Sequence, residues 1–341
     1  MIVDDSAFMR RAVSLLLEKD PEFYVVGIAR NGIDALEKLH RFQPDVITMD
    51  VEMPEMDGIE TLDRIMRERP TPVVMLSSRT GEGTEATIRA LELGAVDFFL
   101  KDRLLADPVE SSVLADFHSR MKIAASARMS ADAPGQEGDE PGLDLIRPAD
   151  KPAAYDLLVI GCSTGGPSAL QSILPRFPAD FPAGIIVVQH MPPGFTGPLA
   201  NRFHHICQMP VKEAASGDQL LPGTIFIAPS GYQTTAKKLS DGRVILQVRE
   251  EPVMLYKPSV DVTLQSLAPI YRNRLLSAVL TGMGNDGLEG CRAVKENGGI
   301  VVTESEESCI VYGMPKAVYE AGYSDVQAAL PRLFSCIMSF L

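Results

Sequence analysis

The chain has 341 residues, 45% of them hydrophobic and 23% charged, and a net charge of −13. Such a length suits about two domains of roughly 150 residues, each long enough to bury a core. The acidity argues against nucleic-acid binding by bulk charge, and no apolar run approaches the ~20 residues of a membrane span or forms a signal peptide.

In chain order, the first half alternates strand-like and helical patterns. The strand-like runs are Met1–Val3, Tyr24–Ala29, Asp45–Asp50, Pro72–Ser77 and Ala95–Leu100. Between them lie helical patterns at Ala7–Lys19, Gly32–Gln43, Asp57–Arg69 and Gly83–Gly94, and a fifth follows at about Pro108–Ser126. Five βα units of this length predict a doubly wound parallel sheet. The first strand is about four residues short for a central strand of ordinary length.

Residues 131–150 then carry six acids against one base, with recurring Pro and Gly. Too little apolar surface is present to offset the ordering entropy, so a mobile tether is expected at 126–154. It would reach roughly 30 Å. A second α/β pattern follows. Its strands are expected at Asp156–Gly161, Gly184–Gln189, Thr224–Ala228, Gln233–Leu239, Arg243–Val248, Leu275–Leu280 and Gly299–Thr303. Helices are expected at Ser168–Leu174, Thr196–Cys207, Ser259–Tyr271, Asp286–Asn297 and Met314–Ala321, with an antiparallel pair turning at Asp241-Gly242. The five cysteines show no C-x-x-C spacing, which excludes a zinc ribbon and points to a reduced, cytoplasmic protein.

In open α/β sheets the chemistry lies beyond the carboxyl ends of the strands. In the first half those ends supply Asp4, Asp5, Asp50, Ser77 and Lys101. Hard carboxylate oxygens suit Mg²⁺, and a carboxylate can attack phosphorus to give an acyl phosphate. Any single Asp here could instead cap a helix, Asp5 and Asp57 being the candidates. Residues 1–103 resemble the receiver domain of two-component response regulators through V-D-D-S, T-M-D-V-E-M-P-E-M-D-G, M-L-S-S and D-F-F-L-K. The resemblance implies a flavodoxin-like five-stranded parallel sheet, Asp50 as phosphoacceptor and Mg²⁺ held by Asp4, Asp5 and Asp50. It also implies Ser77 as switch hydroxyl, Phe98 as switch aromatic and Lys101 as phosphate-sensing lysine. One departure is Asp102, where receivers usually have Pro; a Lys-Asp bond strongly prefers trans.

In the second half, Gly161–Pro167 reads G-C-S-T-G-G-P and matches the G-x-S-x-G turn that exposes a serine ahead of a helix. Ser163, His190 and Asp286 each follow a candidate parallel strand. A serine needs a base, and the base needs an acid that fixes its tautomer. The chain order Ser, His, Asp differs from that of α/β-hydrolases. Ser163 and Asp286 could also be helix caps, His190 a buried strand-end residue, and Asp218 or Asp261 the acid. A rival reading makes Gly161–Gly166 a phosphate cradle in a binding module, with no need for His190 or Asp286.

Together with V-V-Q-H-M-P-P-G-F-T, I-A-P, K-P-S-V-D and L-T-G-M-G-N-D-G, these residues resemble the catalytic domain of the chemotaxis protein-glutamate methylesterases over about 155–341. The resemblance implies a receiver with trailing helix at 1–125, the tether at 126–154 and a doubly wound catalytic domain at 155–341. It implies demethylation of glutamate methyl esters on methyl-accepting chemotaxis proteins, with methanol released, and deamidation of receptor glutamines. A chemotaxis histidine kinase would phosphorylate the receiver and relieve inhibition. Catalysis would rest on Ser163, His190 and Asp286, with backbone N–H groups near Met283 and the Ser163 turn forming the oxyanion hole and no cofactor for ester hydrolysis.

Overall fold

The computed structural model describes residues 1–78, 81–106, 109–127, 155–251 and 253–341. The chain forms two compact units. The division falls within 128–154, so nearly all of the expected tether lies outside the described residues.

The first unit runs β1 (Ile2–Val3), α1 (Ala7–Leu17), β2 (Ile28–Ala29), α2 (Gly32–Phe42), β3 (Ile47–Asp50), α3 (Gly58–Glu68), β4 (Val73–Ser77), α4 (Gly81–Glu92), β5 (Asp97–Leu100), α5 (Lys101–Leu104) and α6 (Ser111–Ser126). The sheet is parallel, in the order β2-β1-β3-β4-β5. Ser6, Asn31 and Asp57 cap α1, α2 and α3, each side chain accepting a backbone N–H of the first turn. Asp57 therefore does cap a helix, whereas Asp5 does not. The strand expected at Tyr24–Ala29 shrinks to β2, because it is an edge strand whose neighbour β1 offers only Ile2 and Val3 for pairing. β5 starts at Asp97 rather than Ala95. Gly94, at φ +103°, ends the preceding helix, and the Ala95 N–H turns back to the Ala90 carbonyl.

The second unit comprises β6 (Leu157–Cys162), α7 (Gly166–Ile173), β7 (Gly184–Gln189), α8 (Thr196–Ile206), β8 (Val211–Glu213), β9 (Ile225–Ile227), β10 (Gln233–Lys238), β11 (Val244–Arg249), α9 (Val260–Tyr271), β12 (Leu275–Val279), α10 (Leu288–Glu296), β13 (Ile300–Glu304), α11 (Met314–Glu320), β14 (Val326–Ala328) and α12 (Leu330–Met338). Seven strands form one parallel sheet, ordered β14-β13-β12-β6-β7-β9-β8, and β10-β11 form a separate antiparallel ribbon. β6 and β7 are buried along their whole length, which explains their unbroken apolar runs. The chain builds outward from β6 through β7, then returns to place β12 on the other side of β6. That reversal opens a crevice beyond the carboxyl ends of β6 and β12, where ligands bind in doubly wound sheets.

Candidate active site

Three strand ends meet at that crevice. Cys162 pairs in register with Gln189, so Ser163 and His190 leave adjacent strands side by side. The His190 N–H donates to the Cys162 carbonyl at 3.1 Å, and the Ser163 N–H to the Thr281 carbonyl at 3.0 Å. The loop after β12 is so close that a Cβ on Gly282 would lie 2.9 Å from Ser163 Cβ. Gln189 ties these segments together. Its buried amide Nε2 donates to the Ser163 carbonyl at 2.9 Å and the His190 carbonyl at 3.0 Å, while Oε1 accepts from Cys162 Sγ.

His190 Nε2 lies 2.7 Å from Asp286 Oδ2. Asp286 is buried and faces the N-terminus of α9. Oδ2 also accepts from Val260 N–H at 2.7 Å, and Oδ1 from Ser259 Oγ at 2.8 Å and Asp261 N–H at 3.0 Å. Burial opposes ionisation of Asp286, but the His190 hydrogen bond and charge, with the backbone donors, outweigh it and hold the carboxyl below its usual range. Asp286 does not cap the following helix; Gly287, at φ +104°, intervenes. Asp261 takes over that end of α10 by accepting from Gly287 and Gly290 N–H at 2.9 and 2.7 Å. Burial chiefly, with Asp286 nearby, pushes Asp261 up to about 6.

Of the competing acids, Asp218 is engaged by Lys212 and by Ala215 N–H in a turn. His204 accepts from Val211 N–H, His118 bonds the Leu16 carbonyl, and His40 faces Glu68. His190 Nδ1 is buried and makes no hydrogen bond. Ser163 and His190 thus leave neighbouring strands with no hydrogen bond from the serine to Nδ1. Met283 lies half-buried in the loop after β12. The Ser163 N–H itself is engaged by Thr281, which removes it as an oxyanion donor. Sequence patterns did not single out Tyr256 or Gln189, although Gln189 lies inside V-V-Q-H. Ser259 and Asp261 lie inside K-P-S-V-D.

In the first unit, Lys101 Nζ lies 2.6 Å from Asp50 Oδ1 and 3.1 Å from Asp4 Oδ2. Asp4 and Asp50 are buried and Asp5 is exposed. Burial, only partly offset by Lys101, pushes Asp50 up to about 6. One oxygen from each of Asp4, Asp5 and Asp50 lies within 4.8 Å of the others. Asp4 Oδ2 makes no aligned hydrogen bond despite the nearby ammonium. Three converging carboxylates, two buried and one exposed, supply the hard oxygens that fit Mg²⁺. With Asp102 after it, Lys101 opens α5 directly and still reaches both carboxylates. Ser77 Oγ faces α4: it accepts from Thr87 Oγ1 at 2.6 Å and donates towards the Ser78 and Gly83 carbonyls. Phe98 is buried.

A family model described as CheB methylesterase matches residues 158–337, and one described as response regulator receiver domain matches residues 1–107. A protein-glutamate methylesterase/protein-glutamine glutaminase 1 from Oleidesulfovibrio alaskensis is 41% identical, over 99% of this chain and 98% of its own length. A protein of the same description from Symbiobacterium thermophilum is 45% identical, over 94% of this chain and 91% of its own. The crystal structure of the Thermotoga maritima CheB methylesterase catalytic domain covers 55% of this chain and all of its own length, at 40% identity and TM-score 0.53.

Proposed function

Because the chain belongs to the CheB family, with a receiver domain and a methylesterase domain in one polypeptide, we propose that it is a phosphorylation-regulated hydrolase of chemotactic adaptation. Its substrates are glutamate γ-methyl esters on methyl-accepting chemotaxis proteins, which it converts to glutamate and methanol. Receptor glutamines are deamidated at the same site. The observation that carries this reading is the 2.7 Å hydrogen bond between His190 Nε2 and the buried Asp286, with Nδ1 making no hydrogen bond and Ser163 following the adjacent strand.

Asp286 accepts from His190 Nε2, so the neutral ring keeps its proton there and leaves the Nδ1 lone pair free. Ser163 Oγ attacks the ester carbonyl carbon while Nδ1 takes the hydroxyl proton. The C–O bond to the leaving group then breaks, and Nδ1 returns the proton to methoxide. Water, activated by the same nitrogen, hydrolyses the acyl-serine. Asp286 stabilises the imidazolium at each stage. The Met283 backbone is the proposed oxyanion donor, and losing one such donor typically costs about 3–4 kcal/mol of barrier. The arrangement uses the opposite imidazole nitrogens from the familiar serine-protease triad, with the same roles.

In the receiver, Asp4, Asp5 and Asp50 are the residues that would hold Mg²⁺. Bound there, the ion supplies positive charge for phosphoryl oxygens. Asp50 is the proposed acceptor of a phosphoryl group from a histidine kinase, and Lys101 a partner for the resulting anion. Ser77 and Phe98 are the proposed switch residues. The deciding experiment is methanol release from methylated receptor by the full chain, with and without acetyl phosphate and Mg²⁺. Release that rises on phosphorylation is expected; no release under either condition overturns the reading.

A further inference from the structure

His190 must do more than exist beside Ser163; its Nδ1 must aim at the serine. Among the described residues the imidazole has two directional contacts. One is the Nε2 hydrogen bond to Asp286. The other is Tyr256, whose ring stacks on it at a centroid distance of 4.5 Å and an interplanar angle of 6°. The Asp286 bond holds the tip of the ring, and Cβ holds its base. Nε2 lies close to the axis of the Cβ–Cγ bond, so these two anchors restrain rotation about that bond only loosely, and that rotation decides where Nδ1 points. A flat ring lying parallel at stacking distance does stop it.

The backbone that carries Tyr256 is itself anchored. Its carbonyl accepts from the buried Gln233 Nε2 at 2.6 Å, and Gln233 Oε1 accepts from Ser259 N–H at 2.9 Å. Ser259 Oγ in turn bonds Asp286. The segment Tyr256–Ser259 is thus braced at one end by Gln233 and at the other by the acid that orients the imidazole tip. Gly284 leaves room for the tyrosine: a Cβ there would come within 2.7 Å of the Tyr256 hydroxyl oxygen.

We infer that Tyr256 is a positioning residue for catalysis, whose ring sets the rotation of the His190 imidazole and so aims Nδ1 at Ser163. The inference rests on the esterase reading above. The ring plane is the working element, so Tyr256→Phe keeps it and Tyr256→Leu removes it. A misplaced catalytic group can cost about 10²-fold. For Tyr256→Leu in the full chain, kcat for methanol release from methylated receptor falls roughly 10- to 100-fold with KM within about twofold. Labelling of Ser163 by a fluorophosphonate probe, which also needs the base but not the receptor, slows in parallel. Tyr256→Phe stays within about threefold on both readouts, a rescue that a role for the hydroxyl alone does not allow. Tyr256→Met, apolar but not flat, behaves like Tyr256→Leu and serves if the leucine variant fails to fold. Wild-type rates in the Leu or Met variant, or equal losses in Phe and Leu, overturn the inference. An unlabelled wild-type Ser163 overturns the esterase reading instead.

Discussion

Replacing Asp286 by Asn tests the acid's role with one atom changed. The carboxylate receives two donors on each oxygen: Ser259 Oγ and Asp261 N–H on one, His190 Nε2 and Val260 N–H on the other. An amide has one accepting oxygen. If its NH₂ replaces Oδ2, it meets the Val260 N–H donor head on and forces His190 Nε2 to accept. The imidazole proton then moves to Nδ1, the nitrogen that must take the serine proton. If the NH₂ replaces Oδ1, Asp261 N–H loses its partner and the imidazolium loses its counter-charge. A triad acid changed to amide costs about 10⁴ in turnover, or about 5 kcal/mol of barrier. One buried donor left unpaired costs about 1–3 kcal/mol of stability. The low pKa of Asp286 in the folded state means that its ionised form stabilises the fold above the unfolded-state pKa. That contribution is lost as pH falls through the folded-state value. Urea melts should therefore show a wild-type advantage at neutral pH that shrinks on acidification. Methanol release within tenfold of wild type, from a folded variant, would refute the reasoning.

Gln189→Leu removes the amide that spans the Ser163 and His190 carbonyls. It should lower kcat more than it raises KM, and lower stability by about 1–3 kcal/mol because the His190 carbonyl loses its donor, while the Ser163 carbonyl keeps that of Gly166 N–H; an unchanged kcat contradicts the brace. Asp50→Asn should keep basal esterase activity and abolish activation by acetyl phosphate, measured as methanol release before and after phosphodonor. Glu304, fully buried, bonds Thr281 N–H and Ser308 Oγ, and burial raises its pKa. Such a carboxyl favours the fold at pH below its unfolded-state pKa and loses that contribution as pH rises through the folded-state value. Glu304→Gln should therefore gain stability relative to wild type as pH rises, read from urea melts across the range.

The architecture was legible where burial writes a pattern. β6 and β7 read as continuous apolar runs because both faces are covered. The ends of those strands pointed to Ser163 and His190, and the end of β12 to Asp286. Short pieces carried no usable period: β8 and β14 have three residues each and α5 has four. α12 escaped notice although Leu333, Cys336 and Ile337 form its buried face. Weighing Asp218, Asp261 and Asp286 against one another required three dimensions, because the contact that favours Asp286 joins residues 96 positions apart. Tyr256 was invisible for the same reason: stacking on His190 leaves no trace in local spacing.

The central claim is that Ser163 is the nucleophile of a methylesterase. It is tested most directly by methanol release from methylated receptor, comparing the full chain with its Ser163→Ala variant after acetyl phosphate and Mg²⁺ treatment. The account predicts rapid release by the wild type and a loss of about 10⁶ in turnover for the variant, on the scale seen when a triad serine is removed. Sustained release by a folded Ser163→Ala chain would contradict it.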